Sequence, residues 1–102
     1  MVLVPVWHKG QVARYAKVDP TDAEYVAGFR WLIGGSGYAL RRCRGKTVYM
    51  HREIAGVAHG QRVDVDHLDH DPFNNQRANL RVVTHAENVK RRRPWGRKAV
   101  AA

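Results

Sequence analysis

Apolar and polar positions change rhythm along the chain, and each rhythm predicts an element. Phe29-Arg30-Trp31-Leu32-Ile33 is dense in aromatic and β-branched residues and reads as a strand, with Gly34-Gly35-Ser36-Gly37 as the turn after it. Residues 38–43 and 47–50 flank Arg44-Gly45-Lys46, the pattern of a β-hairpin closed at a glycine. Residues 63–66 and 80–83 are two further short strands, separated by a polar loop over 68–79. Three helices are expected between and after these strands. Asp19-Pro20-Thr21-Asp22 supplies an N-cap, a proline at the first helical position and a carboxylate in the first turn, and that helix should end before Gly28. Residues 51–58 form a second helix, ended by Gly60. Thr84-His85-Ala86-Glu87 fits a capping box, so a third helix should run over 85–92. Trp31, Tyr38, Leu40, Val48 and Ile54 are the expected core.

Composition narrows what these elements can serve. A chain of 102 residues is one small domain at most, and its 44% hydrophobic content excludes disorder by composition. The single cysteine, Cys43, excludes an internal disulfide and the cysteine-based zinc sites, so the chain reads as cytoplasmic and any metal must be held by oxygen and nitrogen. The opening Met-Val-Leu-Val-Pro-Val-Trp has neither a basic start nor a cleavage site, and no apolar run of about 18 residues occurs. No membrane association is expected. Eighteen Lys and Arg against nine Asp and Glu give a net charge of +9, which points to a polyanionic partner, with nucleic acid foremost.

Against that basic background, Val63-Asp64-Val65-Asp66-His67-Leu68-Asp69-His70-Asp71 gathers four of the nine carboxylates around two histidines. Carboxylate and imidazole side by side can hold a hard cation and accept a proton. An isolated Asp-His pair is more often a surface turn, so the surrounding pattern has to carry the reading.

The run V-D-H-L-D-H-D-P-F-N-N-Q-R-A-N-L-R-V-V-T-H-A-E-N, residues 65–88, resembles the HNH endonucleases of phages and mobile introns, in the subgroup whose last motif residue is Asn. Upstream, V-D-P-T-D, W-L-I-G-G-S-G-Y-A-L-R and V-Y-M-H-R-E-I-A-G resemble the small sheet that precedes the motif in that subgroup, an Apetala-type DNA-binding domain. The likeness extends over residues 10–92. It implies an α+β fold: a small antiparallel sheet with short helices (1–60), a ββα-metal, or His-Me finger, unit (61–93) and a basic tail (94–102) expected to be flexible.

The same resemblance assigns roles. Asp66 and Asn88 become ligands of one divalent cation, Mg2+ or Mn2+; His67 becomes the general base, and Asn79 the residue that hydrogen-bonds and orients it. Asp66 and His67 are adjacent, so an ideal strand sends them to opposite faces, and a bend is expected there. Where the family usually has Gly this chain has His70, which requires either a left-handed histidine or a different loop. His85 is a further histidine near the end of the motif, but the register favours Asn88 as ligand. Asn74 and Asn75 are expected to turn the loop, and Asp64, Asp69 and Asp71 to solvate it.

The expected function is metal-dependent hydrolysis of double-stranded DNA, leaving a 5′ phosphate and a 3′ hydroxyl. Arg41, Arg42, Arg44, Lys46, Arg52 and Arg81, with Lys90, Arg91, Arg92 and Arg93 of the tail, are expected on phosphates. Without a heptad or extra helix the enzyme should be a monomer or weak dimer. The alternative is a DNA-binding module with a silent HNH unit; an RNA-binding protein is a third class, without a recognition signature here.

Overall fold

In the computed structural model residues 1–57 and 63–84 are described. Strand β1 (Val2–His8) buries Val4 and Val6 and turns into β2 (Gln11–Val18) through Lys9 and Gly10, both at positive φ, 50° and 79°. Left-handed backbone at both turn positions matches the twist of the two strands it joins. This hairpin had no counterpart among the expected elements, although the alternation of Val4 and Val6 with Pro5 and Trp7 and the Lys-Gly pair are its signal. Arg44 and Gly45, at φ 50° and 80°, repeat the device between β4 (Ala39–Cys43) and β5 (Lys46–Tyr49), as the glycine turn predicts.

Helix α1 (Pro20–Ala27) stops at Gly28 as expected, and α2 (Met50–Ile54) is shorter than the expected 51–58. The reason is Gly56, at φ 78°. Its N–H returns to the carbonyl of Glu53 and that of Val57 to Arg52, a paired closure that a left-handed residue makes possible and that ends the helix.

The strands form a five-stranded sheet in the order β2-β1-β3-β4-β5, with β3 at Trp31–Ile33. It is mixed rather than the antiparallel sheet expected, because β3 lies parallel to β1, Val6 beside Trp31 and Trp7 beside Leu32. Helix α1 leaves the edge strand β2 and packs on β1, which brings the chain back on the far side of β1 running in the same direction as it. Trp31, fully buried, sits at the centre of a core of Val4, Val6, Ala16, Val18, Val26, Ala39, Met50 and Ile54, and its indole N–H donates to the carbonyl of Val26 at 2.7 Å. Of the other residues expected in the core, Ile54 belongs to it, whereas Tyr38, Leu40 and Val48 are only half-buried.

Arg41 is drawn into this body. Its guanidinium lies 3.9 Å from the ring centre of Phe29 and donates two hydrogen bonds, of 3.0 and 2.9 Å, to the carboxylate of Glu53, which also accepts from the Tyr25 hydroxyl. Burial works against the charge on Glu53, but Arg41 and Tyr25 hold its carboxyl below the usual range.

The remaining strands, β6 (Val63–His67) and β7 (Leu80–Thr84), pair antiparallel as a separate hairpin from Val63–Thr84 to His67–Leu80. Arg52 of α2 donates to the carbonyl of Val63 at 2.7 Å. The loop between the strands is docked on the sheet: Lys17 of β2 donates to the carbonyl of Phe73 and accepts from the N–H of Asn75, each at 2.7 Å. Phe73 and Leu80 pack against the core. The loop therefore meets the open edge of β2 at a single parallel bridge, Asn74 beside Lys17. Arg77, in a 3-10 turn over Arg77–Asn79, completes the docking with two bonds to Asp22, of 2.9 and 2.7 Å, and an N–H on the Asp19 carboxylate at 3.0 Å. Asp19 stands at the N-cap as expected, but its side chain serves the loop and makes no cap bond. The expected helix over 85–92 lies outside the described residues.

Candidate active site

His67 closes β6, and pairing continues through it to Leu80, so the bend expected between Asp66 and His67 is absent and the two side chains leave opposite faces of the hairpin. His67 points to the body of the protein and is 5% exposed; Asp66 is half-buried on the other face. The His67 ring is walled by two others. Tyr38 stacks on it at 5.8 Å between centroids and 20° between planes, and His51 lies at 4.9 Å and 42°. Tyr38 stacks on His51 as well, at 4.8 Å and 23°. Burial first, then the neighbouring His67 and Arg52, push the His51 imidazole down to about 3, which keeps it a neutral wall.

The hydrogen-bond partner of His67 differs from the expectation. His67 Nε2 meets Oδ1 of Asn75 at 2.8 Å, whereas the Asn79 side chain is used within the loop. Asn79 Nδ2 donates to Asp69 Oδ1 and to the carbonyl of Asn74, each at 2.8 Å, and its Oδ1 accepts from the N–H of Asp69 at 3.1 Å. Asn75 was read as a turn residue and is fully buried. No spacing rule could have singled it out, since its approach to His67 depends on the loop docking at β2.

His70 has φ 63°, so of the two alternatives expected there the left-handed histidine is the one found. Asp69 is the hub of the loop. The Asn74 side-chain amide first, then the Asp71 N–H, hold its carboxyl down at about 2, with Asn79 adding to them against a small desolvation. A carboxyl depressed in the folded state stabilises it above the ordinary value near 4 and loses that contribution as pH falls through the folded value. The side-chain amide resonances of Asn74 and Asn79 should therefore titrate with a midpoint near 2, and a midpoint at an unperturbed carboxyl value would show the hub is not formed in solution. Asp71 accepts the N–H of Phe73 at 3.0 Å, so Asp69 and Asp71 build the loop.

Among the expected phosphate contacts, Arg42, Arg44, Lys46 and Arg81 are exposed. Arg41 is not available: its place on the inner face of β4 commits it to Glu53 and Phe29, a correction to the expectation. Arg52 is likewise engaged, on the carbonyl of Val63. Asn88, His85 and Lys90, Arg91, Arg92 and Arg93 lie outside the described residues. Among the described residues no three His, Cys, Asp or Glu converge as a metal cluster, and no helix is long and apolar enough to cross a membrane. Asp66 offers the carboxylate oxygen that a hard divalent ion takes, so the donor chemistry present fits such an ion as far as one ligand.

The segment that carries Asp66, His67, Asn75 and Asn79 is the part of the chain with likenesses to known proteins. Residues 48–90 match the HNH endonuclease family, from within β5 through α2 and the β6–β7 hairpin. An uncharacterized HNH endonuclease of Acanthamoeba polyphaga mimivirus is 34% identical over 67 residues, covering 62% of this chain and 35% of that protein. The chain thus spans about a third of the length of that curated relative. No solved structure matches it.

Proposed function

We propose that the protein is a metal-dependent HNH endonuclease that nicks double-stranded DNA. The observation that carries the reading is the likeness of residues 48–90, which contain both Asp66 and His67, to the HNH endonuclease family. In this reading Asp66 and Asn88 would hold one Mg2+ or Mn2+, which would supply positive charge to the scissile phosphate. His67 takes the proton from the attacking water. The bond from phosphorus to the 3′ oxygen breaks, that oxygen leaves as the 3′ hydroxyl, and the phosphate stays on the 5′ end of the other fragment. Arg42, Arg44, Lys46 and Arg81, with the basic residues after Asn88, hold the backbone of the duplex, and the net charge of +9 supports a polyanionic substrate. The strands of a duplex run antiparallel, so a monomer with one such unit nicks, and double-strand cleavage needs a second copy.

The burial of His67 favours a second reading, a DNA-binding module whose HNH unit is silent. One assay separates the two. Supercoiled plasmid should be nicked in Mg2+ or Mn2+ and left intact in chelator. Asp66→Ala should raise the cation concentration needed for half-maximal nicking by more than the roughly 10–100-fold that loss of an outer-sphere partner costs. A wild-type protein that binds duplex DNA without nicking it would establish the silent module.

A further inference from the structure

We propose that Asn75 is a positioning residue for His67: it holds the imidazole in the tautomer protonated on Nε2 and so leaves Nδ1 as the proton acceptor. The inference takes its catalytic meaning from the nuclease reading, but its geometry stands apart from it. Asn75 Oδ1 lies 2.8 Å from His67 Nε2, with Asn75 0% and His67 5% exposed, so no bulk water competes for this contact. An amide oxygen only accepts, and the ring nitrogen facing it must carry hydrogen.

The amide is held from a different part of the fold than the ring. The N–H of Asn75 is bound to the carbonyl of Lys17, and the preceding Phe73 carbonyl to the N–H of Lys17, so β2 sets where the amide sits while β6 sets where the imidazole sits. Tyr38 stacks on the ring and His51 lies tilted against it, and together they restrict its movement. What remains is rotation within the ring plane, and the bond to Asn75 removes it.

The opposite amide orientation would aim Nδ2 at Nε2. A base that has taken a proton carries N–H on both ring nitrogens, and Nδ2 would then face another donor. Only Oδ1 serves the ring before and after it takes the proton. The orientation has a cost, since Asn75 Nδ2 is buried without a hydrogen-bond partner among the described residues, and an unsatisfied buried donor typically costs about 1–3 kcal/mol. A polar group left so in a core is retained where its other end has a task. Asn79, expected to orient the base, is occupied at both ends of its amide by Asp69 and Asn74.

The test reads the His67 ring nitrogens by 15N NMR at about pH 8, where an ordinary imidazole is neutral, in the wild type, Asn75→Asp and Asn75→Leu. The wild type and Asn75→Asp, whose ionised carboxylate only accepts, should both be protonated on Nε2, and Asn75→Leu should give a mixture of tautomers. In plasmid nicking Asn75→Leu should lose about 10–100-fold in kcat with KM unchanged, as for loss of other orienting partners. A wild-type ring protonated on Nδ1, a switch to Nδ1 in Asn75→Asp, or an unchanged kcat in a folded Asn75→Leu would each overturn the inference. Should Asn75→Leu not fold, the comparison of wild type with Asn75→Asp decides alone. A wild type with the Nε2 tautomer that nicks no DNA would instead refute the nuclease reading and leave the assignment of the tautomer standing.

Discussion

His67→Ala should lower plasmid nicking by about 10²–10⁴-fold, the usual contribution of a positioned general base, while duplex affinity stays nearly unchanged. The ring faces the protein, against Tyr38, His51 and Asn75, so its removal takes away a proton acceptor and no phosphate-binding cation. It also opens a cavity and strips Asn75 Oδ1 of its donor, which is why a second variant is needed. His67→Gln keeps bulk and an N–H toward Asn75 but offers no nitrogen that can take a proton near neutral pH. It should be as inactive as His67→Ala and closer to the wild type in thermal stability. Parallel loss of binding and nicking in a folded His67→Gln would make His67 a structural residue.

The second large effect falls on the core. Trp31→Ala should cost about 3–5 kcal/mol in urea unfolding, a large part of the roughly 5–15 kcal/mol that holds a small domain together. Trp31 is 0% exposed at the centre of the sheet, meets Phe29 edge-on at 6.1 Å and donates its indole N–H to the carbonyl of Val26. Its loss empties the space between α1 and the strands and leaves that carbonyl without the indole. Trp31→Phe keeps most of the packing without the N–H and should fall between the two. A loss below about 1 kcal/mol for Trp31→Ala would mean that the core is centred elsewhere.

Much of the local structure was legible in the sequence because its causes are local. Gly45 after Arg44 allows the tight left-handed turn of β4–β5, Pro20 after Asp19 starts α1, and alternation around Val65 marks β6. Two local signals misled. Gly60 was taken as the stop for α2 although Gly56 came first, and the β1–β2 hairpin was passed over despite its Lys9-Gly10 turn. The Asp66–His67 pair stood out for a different reason: carboxylate and imidazole next to each other, on a strand before a long polar loop, form a pattern whose spacing is visible without coordinates.

The sequence by itself determined the turns, the helix starts, the basic charge and the Asp66–His67 pair, because each depends on residues a few positions apart or on composition alone. Only the tertiary structure decided that Arg41 belongs to Glu53, that β3 lies parallel to β1 and that Asn75 meets His67. Each of these joins segments whose separation along the chain says nothing of their distance in space. Arg41 looked like a phosphate ligand because a cation on a hairpin reads the same on either face until the sheet acquires a covered side. Asn75 looked like a turn residue because its partner is chosen by where the loop docks. That docking is made by the edge of β2 and by Asp19 and Asp22, more than fifty residues earlier in the chain.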